Sequence, residues 1–218
     1  MLAAKAYKGM GMEGSVARWY DGATRKDRPS IKALAQRIAA LVPEASSILE
    51  VAPGPGFLSI ELAKLGFKVC AVDISDTFVA IARRNAEAEG VTVRFDKGDA
   101  AALPAEDAGA DFVVCRAAFK NFADPVNALR EMRRVLKSGG KALLIDMRRD
   151  VPIAELQRYT DSLGIGWFSR QFMMLVFRHM LIKRAYPVDD VRRMVAQAGW
   201  TVANIETTPV GFEALLNK

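Results

Sequence analysis

Three carboxylates stand at places where ligand chemistry could be gathered: Glu50, Asp73 and Asp99. Glu50 and Asp73 lie at the ends of the strand-like apolar runs Ser47–Ala52 and Lys68–Asp73. Asp99 follows the run Thr92–Asp96, in Lys97-Gly98-Asp99-Ala100. If these runs lie parallel in one sheet, their carboxyl ends share an edge, and ligands of open α/β sheets bind at that edge. Glu50 also opens the turn Glu50-Val51-Ala52-Pro53-Gly54-Pro55-Gly56-Phe57. Gly54 and Gly56 there permit a sharp turn and a close approach of ligand to backbone. A glycine-rich turn between strand and helix serves dinucleotides, mononucleotides or no ligand at all, so alone it decides little.

The acids decide more. A carboxylate ending the second strand can accept both hydroxyls of a ribose, and Asp99 can accept from an adenine amino group. A dinucleotide pyrophosphate needs N–H donors, and Glu50 beside the turn would oppose it. S-adenosylmethionine has no phosphate; it carries a sulfonium and an ammonium, both favoured by nearby carboxylates. Each acid taken singly reads equally well as a strand-end cap or turn residue. Their joint order points to this cofactor.

The elements that must position these residues follow from periodicity. Strand-like runs continue at Asp111–Arg116 and Lys141–Met147, separated by helical patterns at Phe57–Leu65, Asp76–Glu89 and Asp124–Leu136. Such alternation builds a parallel sheet with helices on both faces. An amphipathic helix at Pro29–Val42 precedes it. After the fifth strand, Pro152–Leu163 and Trp167–Lys183 read as two added helices parted by Gly164 and Gly166. A helix at Pro187–Ala198 and two strand-like runs, Trp200–Thr207 and Val210–Leu216, close the chain as an edge hairpin. The expected fold is α/β: a doubly wound, mainly parallel seven-stranded sheet with a C-terminal antiparallel hairpin and an inserted helical cap. Residues 1–218 are expected to form a single domain, with N-terminal helices and a lid in 1–43 and the cap in 150–185.

Ile48-Leu-Glu-Val-Ala-Pro-Gly-Pro-Gly56, Val72-Asp-Ile-Ser75, and Gly98-Asp-Ala100 with Leu103-Pro104 resemble, in order and spacing, the motifs of class I S-adenosylmethionine-dependent methyltransferases. Ala123-Asp-Pro-Val126 and Glu131-Met-Arg-Arg-Val-Leu-Lys-Ser-Gly-Gly140 continue the match, which is nearest in flavour to the ubiquinone/menaquinone-biosynthesis group. The resemblance implies that Glu50, Ala52, Pro53, Gly54 and Gly56 hold the methionine end. It implies Asp73 on the ribose, Ile74 against the adenine, and Asp99 and Ala100 at the adenine amino group. Arg116 to Asn121 would face the methyl group. There are two departures: Ala52 replaces the usual first glycine, and Lys120-Asn121 stand where many relatives carry a His-His pair.

Methyl transfer from a sulfonium mainly requires alignment of donor and acceptor, and a general base only for a protonated acceptor. Lys120 and Tyr20 are the candidates for such work, although a solvated lysine is the default and Tyr20 reads equally as a core or surface aromatic. His179, the single histidine, reads as a helix-surface residue. Asn121 with Phe172, Met173 and Phe177 of the cap would line an apolar acceptor pocket; the same residues could instead pack the cap onto the domain or onto a second subunit. A homodimer is therefore one expectation. The net charge of +6 comes without a Lys/Arg block interleaved with aromatics, so nucleic acid is disfavoured as partner, although an RNA substrate stays open. Nicotinamide-dependent oxidoreduction is disfavoured by Glu50 and Asp99, and a non-catalytic binding protein by the intact motifs. No apolar run is long enough for a bilayer span, and two cysteines in apolar runs suit a reduced, cytoplasmic protein.

Overall fold

A computed structural model describes residues 7–8, 11–162, 166–167, 171, 174–175 and 182–218. Seven strands form one sheet in the order β3-β2-β1-β4-β5-β7-β6. They are β1 (Ser47–Val51), β2 (Lys68–Asp73), β3 (Arg94–Lys97), β4 (Ala110–Arg116), β5 (Leu136–Met147), β6 (Val202–Thr207) and β7 (Gly211–Asn217). The first five run parallel, and β7 lies antiparallel to both β5 and β6. The central strands read as apolar runs because both faces are covered, as parallel sheets require. One face packs a cluster containing Leu49, Val113, Leu129, Met132 and Trp200; the other packs Ile38, Ile48, Ile60, Phe112 and Val114.

The helices are α1 (Gly14–Thr24), α2 (Arg28–Ala39), α3 (Phe57–Lys64), α4 (Asp76–Ala88), α5 (Pro125–Val135), α6 (Ile153–Ser162) and α7 (Val188–Gln197). Ser75 caps α4 by accepting from Phe78 N, and Asp124 caps α5 by accepting from Asn127 N, with Pro125 preset in the first turn. The helix α2 buries Ile31, Leu34, Ala35 and Ile38, the stripe expected from its periodicity.

The fifth strand begins earlier than its apolar pattern suggests. Leu136 pairs with Ala110, the register then shifts, and pairing resumes at Phe112 with Lys141. The intervening Ser138-Gly139-Gly140 is thus an irregularity inside the strand rather than a turn before it. Gly139 has φ +76, and a Cβ on Gly140 would lie 3.0 Å from the Asp111 carbonyl oxygen. Of the inserted segment, α6 is described, as is a short 3-10 turn at Ile182–Arg184. The expected pocket residues Phe172, Met173 and Phe177, and His179 with them, lie outside the described residues. No helix among the described residues is long and apolar enough to cross a membrane.

Candidate cofactor and acceptor site

The register sets the acids in place. Glu50 pairs with Ala71 of β2 and Val114 of β4, so it occupies the centre of the carboxyl edge. Asp73 ends β2 beside Lys97 of β3. Beyond β1, the chain reverses through three left-handed residues: Ala52 (φ +58), Gly54 (φ +55) and Gly56 (φ +80). A Cβ on Gly56 would come within 2.8 Å of Ala82 Cβ and 3.0 Å of the Phe95 ring, so glycine is required there by space as well as by conformation. Ala52 has no such freedom: the left-handed region costs an L-residue roughly 1–2 kcal/mol. Glycine would relieve that strain while adding about 0.4–1 kcal/mol of unfolded-chain entropy. Ala52→Gly is therefore expected to raise stability by about 0.5–1 kcal/mol in urea or thermal unfolding. A destabilised variant would contradict the strain.

Asp73 is buried and rigidly aimed. Its Oδ2 accepts from Gly54 N at 3.0 Å and its Oδ1 from Ser75 N at 2.9 Å. Burial pushes its pKa up, and these backbone donors oppose the push. A carboxylate has about four lone-pair sites, so both oxygens keep capacity for ribose hydroxyls. Next to it Ile74 is 36% exposed, an apolar side chain open for an adenine face. Asp99 accepts from Ala101 N at 2.9 Å and precedes the buried Ala100. Asp73→Ala should weaken binding of S-adenosylhomocysteine by about 1–3 kcal/mol, since it deletes charge-assisted bonds. Unchanged calorimetric affinity in a folded variant would remove Asp73 from the site.

Glu50 is the most perturbed acid of the site. It is 4% exposed, the Ser59 hydroxyl donates to its Oε2, and burial raises its pKa from 4.5 to about 7. The Ser59 bond and the Arg116 guanidinium oppose that rise, while Asp73 adds to it. An unpaired buried carboxylate gains most when a cation arrives beside it. The left-handed turn, the space reserved at Gly56, the open Ile74 and the electron-rich centre at Glu50 together fit a cofactor with a ribose, an adenine and an ammonium.

The N-terminal helix covers this edge. Tyr20 of α1 packs edge-on against Phe78 of α4 at 5.8 Å, and a Cβ at Gly54 would lie 3.9 Å from its ring. Asn85 joins α1 and the turn, donating through Nδ2 to Asp21 Oδ1 and to the Pro55 carbonyl, each at 3.0 Å. Burial raises the Tyr20 phenol's pKa, Arg116 opposes, and Asp27 and Asp146 add to the rise. Nothing in the local pattern marks Asn85, whose spacing matches an ordinary position on a helix.

Lys120 departs from expectation. It is buried rather than solvated, in the middle of a 3-10 turn, Phe119–Asn121, that leaves β4. Its Nζ donates to Asp146 Oδ1 at 2.8 Å and to the Ala117 carbonyl at 2.6 Å, and its backbone N donates to Asp146 Oδ2 at 2.8 Å. With its ammonium committed to this pair, Lys120 fixes the exit segment instead of presenting a free cation. Asn121 accepts from Lys8 N at 2.7 Å, where Tyr7 forms an antiparallel bridge with Phe122. The N-terminal strap thereby lies on the segment where a transferred methyl group is expected. Asp146 and Tyr7 were both missed by sequence reasoning, because their neighbours are distant in the chain.

This fold and edge define a class I, Rossmann-like methyltransferase, and the comparisons agree. Residues 49–144 match the family described as "Methyltransferase domain". The chain is 41% identical over 165 residues to a demethylmenaquinone methyltransferase of Thermus thermophilus, covering 71% of this chain and 74% of that one. It is 35% identical over 112 residues to a ubiquinone biosynthesis O-methyltransferase of Xanthomonas axonopodis pv. citri, covering 51% of this chain and 47% of the other. A solved Methanococcus maripaludis chain, named after S-adenosyl-L-methionine-dependent methyltransferases, superposes with TM-score 0.73 at 24% identity. It covers 99% of this chain and 97% of the other. At that identity the superposition speaks for the fold. The chain belongs to the class I S-adenosylmethionine-dependent methyltransferases. Its cofactor is S-adenosylmethionine and its acceptor a small molecule.

Proposed function

We propose that the acceptor is a hydroxylated aromatic ring of the reduced-quinone class. The observation that carries this reading is the 41% identity to a demethylmenaquinone methyltransferase over 74% of that protein's length. In this reading Glu50 takes the cofactor's ammonium, and backbone groups of Ala52, Pro53, Gly54 and Gly56 surround the methionine end. Asp73 takes the ribose hydroxyls, Ile74 packs on the adenine, and Asp99 with Ala100 borders its amino group. Arg116, electrostatically coupled to both Glu50 and Tyr20, stands between cofactor and acceptor.

The bound cofactor supplies a methyl group on a sulfonium, already activated for displacement. What remains for the chain is to align the acceptor in line with that methyl and to exclude water. Tyr20 covers the turn from above, and the Lys120–Asp146 pair holds the exit segment Arg116–Asn121 at the side. Incubation with labelled S-adenosylmethionine and a short-chain demethylmenaquinol should give a labelled, methylated ring. Labelling of some other acceptor in a cell extract, with the quinol left untouched, would contradict this choice of acceptor.

A further inference from the structure

Two segments far apart in the chain are clasped together over the carboxyl ends of β4 and β5. The first is Tyr7-Lys8, held to the β4 exit by the Tyr7–Phe122 bridge and the Lys8 N to Asn121 O bond. The second is the turn Ile182–Arg184 with Ala185 and Tyr186, held to the β5 exit. There Tyr186 bridges Arg148, while Arg149 donates through Nε to the Ala185 carbonyl at 2.9 Å and through Nη2 to the Lys183 carbonyl at 3.1 Å. The two segments meet where Lys8 Nζ donates to the Tyr186 hydroxyl and lies 4.8 Å from that ring's centre.

This clasp brings the half-buried Tyr7 and the 182–186 turn together over the exits of β4 and β5. Burial pushes the Tyr7 phenol's pKa above the ordinary value; Arg184 opposes the rise, and Asp73, Tyr20 and Asp146 add to it. The Tyr7–Phe122 bridge and the Lys8 N to Asn121 O bond set Tyr7 beside the exit of β4, the segment Arg116–Asn121. That is where the methyl group is expected. The exposed Arg184 guanidinium makes no hydrogen bond or ion pair among the described residues. The Tyr7 hydroxyl is likewise uncommitted among them.

We infer that Tyr7 and Arg184 form an acceptor subsite that holds an ionised oxygen of the acceptor, a phenolate or enolate, beside the carbon or oxygen to be methylated. The inference rests on the reduced-quinone reading for the shape of the ring, but the charge recognition stands by itself. A phenol donor and a guanidinium favour the anionic form of a hydroxyl, as nearby cations and donors do. The acceptor's hydroxyl proton leaves to water. The oxyanion's electrons then raise the nucleophilicity of the ring or of the oxygen itself, and one electron pair forms the new bond to the methyl carbon. The pair of the broken carbon–sulfur bond stays on sulfur, so the sulfonium becomes a neutral thioether.

The test measures kcat and kcat/KM for a short-chain demethylmenaquinol across pH in wild type, Arg184→Met, Arg184→Lys and Tyr7→Phe. Affinity for S-adenosylhomocysteine is measured in parallel by calorimetry. Loss of Arg184 should lower kcat/KM at least about tenfold and move the acid limb of kcat, which reports the bound acceptor, about one pH unit upward. Arg184→Lys should recover part of the loss, Tyr7→Phe should lose less than Arg184→Met, and the calorimetric constant should stay within about twofold. Unchanged kcat/KM and an unchanged limb in both Arg184→Met and Tyr7→Phe would overturn the subsite. If wild type leaves the quinol unmethylated, the quinol reading fails, and 2-naphthoate binding in the presence of S-adenosylhomocysteine decides the subsite. Naphthoate bound by wild type and lost in Arg184→Met supports it; no binding, or equal binding by both, overturns it.

Discussion

Replacing Lys120 by methionine is expected to cost about 3–5 kcal/mol of folding stability, the range found when one partner of a buried ion pair is removed. The reason lies in Asp146, whose side chain is 1% exposed and accepts from Lys120 Nζ at 2.8 Å. Without the ammonium, that carboxylate must be buried unpaired or take up a proton. Lys120→Met with Asp146→Asn should recover more than half of the loss. The amide carries no charge and still accepts from one of the backbone donors, Lys120 N or Met147 N, that now bond the carboxylate. Urea unfolding of the two single variants and the double variant closes the cycle. A cost below about 1 kcal/mol for Lys120→Met, as surface pairs give, would contradict the buried pair.

The second large effect belongs to Glu50. Raising a carboxyl from 4.5 to about 7 on folding corresponds to roughly 3 kcal/mol. Between those two values the folded protein keeps a proton that the unfolded chain releases, so stability falls as pH rises through this window. The contribution is fully present below 4.5 and lost above about 7. Glu50→Gln keeps the shape and removes the charge. At pH 8 the variant should be more stable than wild type by up to roughly 3 kcal/mol, and the gap should close near pH 5. Binding runs the other way. Wild type should bind S-adenosylhomocysteine more tightly at pH 8 than at pH 6, because the ammonium calls for the ionised form, and binding near pH 6.5 should release a proton. Glu50→Gln should bind weakly and without that pH dependence. Equal stability curves for the two proteins between pH 5 and 8 would mean that Glu50 titrates like an exposed carboxyl.

Glu50 is thus a destabilising residue kept at the centre of the edge, and it was legible for a local reason. The turn from Glu50 to Gly56, the acid ending β2 and the acid after β3 all belong to short contiguous patterns. Backbone demands at Gly54 and Gly56, and the alternation of apolar runs with helical stripes, are written in neighbouring residues. The parallel sheet and its closing hairpin were legible on the same ground. Lys120 and Asp146 were not, since 26 residues separate them and each alone resembles a solvated charge. The early start of β5 was hidden because Ser138-Gly139-Gly140 has the composition of a turn, while pairing with Ala110 holds Leu136 in the ladder. Tyr7 and Arg184 became visible only through the clasp between the strap and the 182–186 segment, a contact that no periodicity encodes.

The central claim is that the carboxyl edge around Glu50, Asp73 and Asp99 receives a cationic nucleoside without phosphate. Calorimetric titration of the wild-type protein at pH 8 with S-adenosylmethionine, S-adenosylhomocysteine and NAD tests it most directly. One-to-one binding of the first two is expected, with no measurable heat from NAD, whose pyrophosphate Glu50 would repel. Binding of NAD at equal or greater affinity would contradict it.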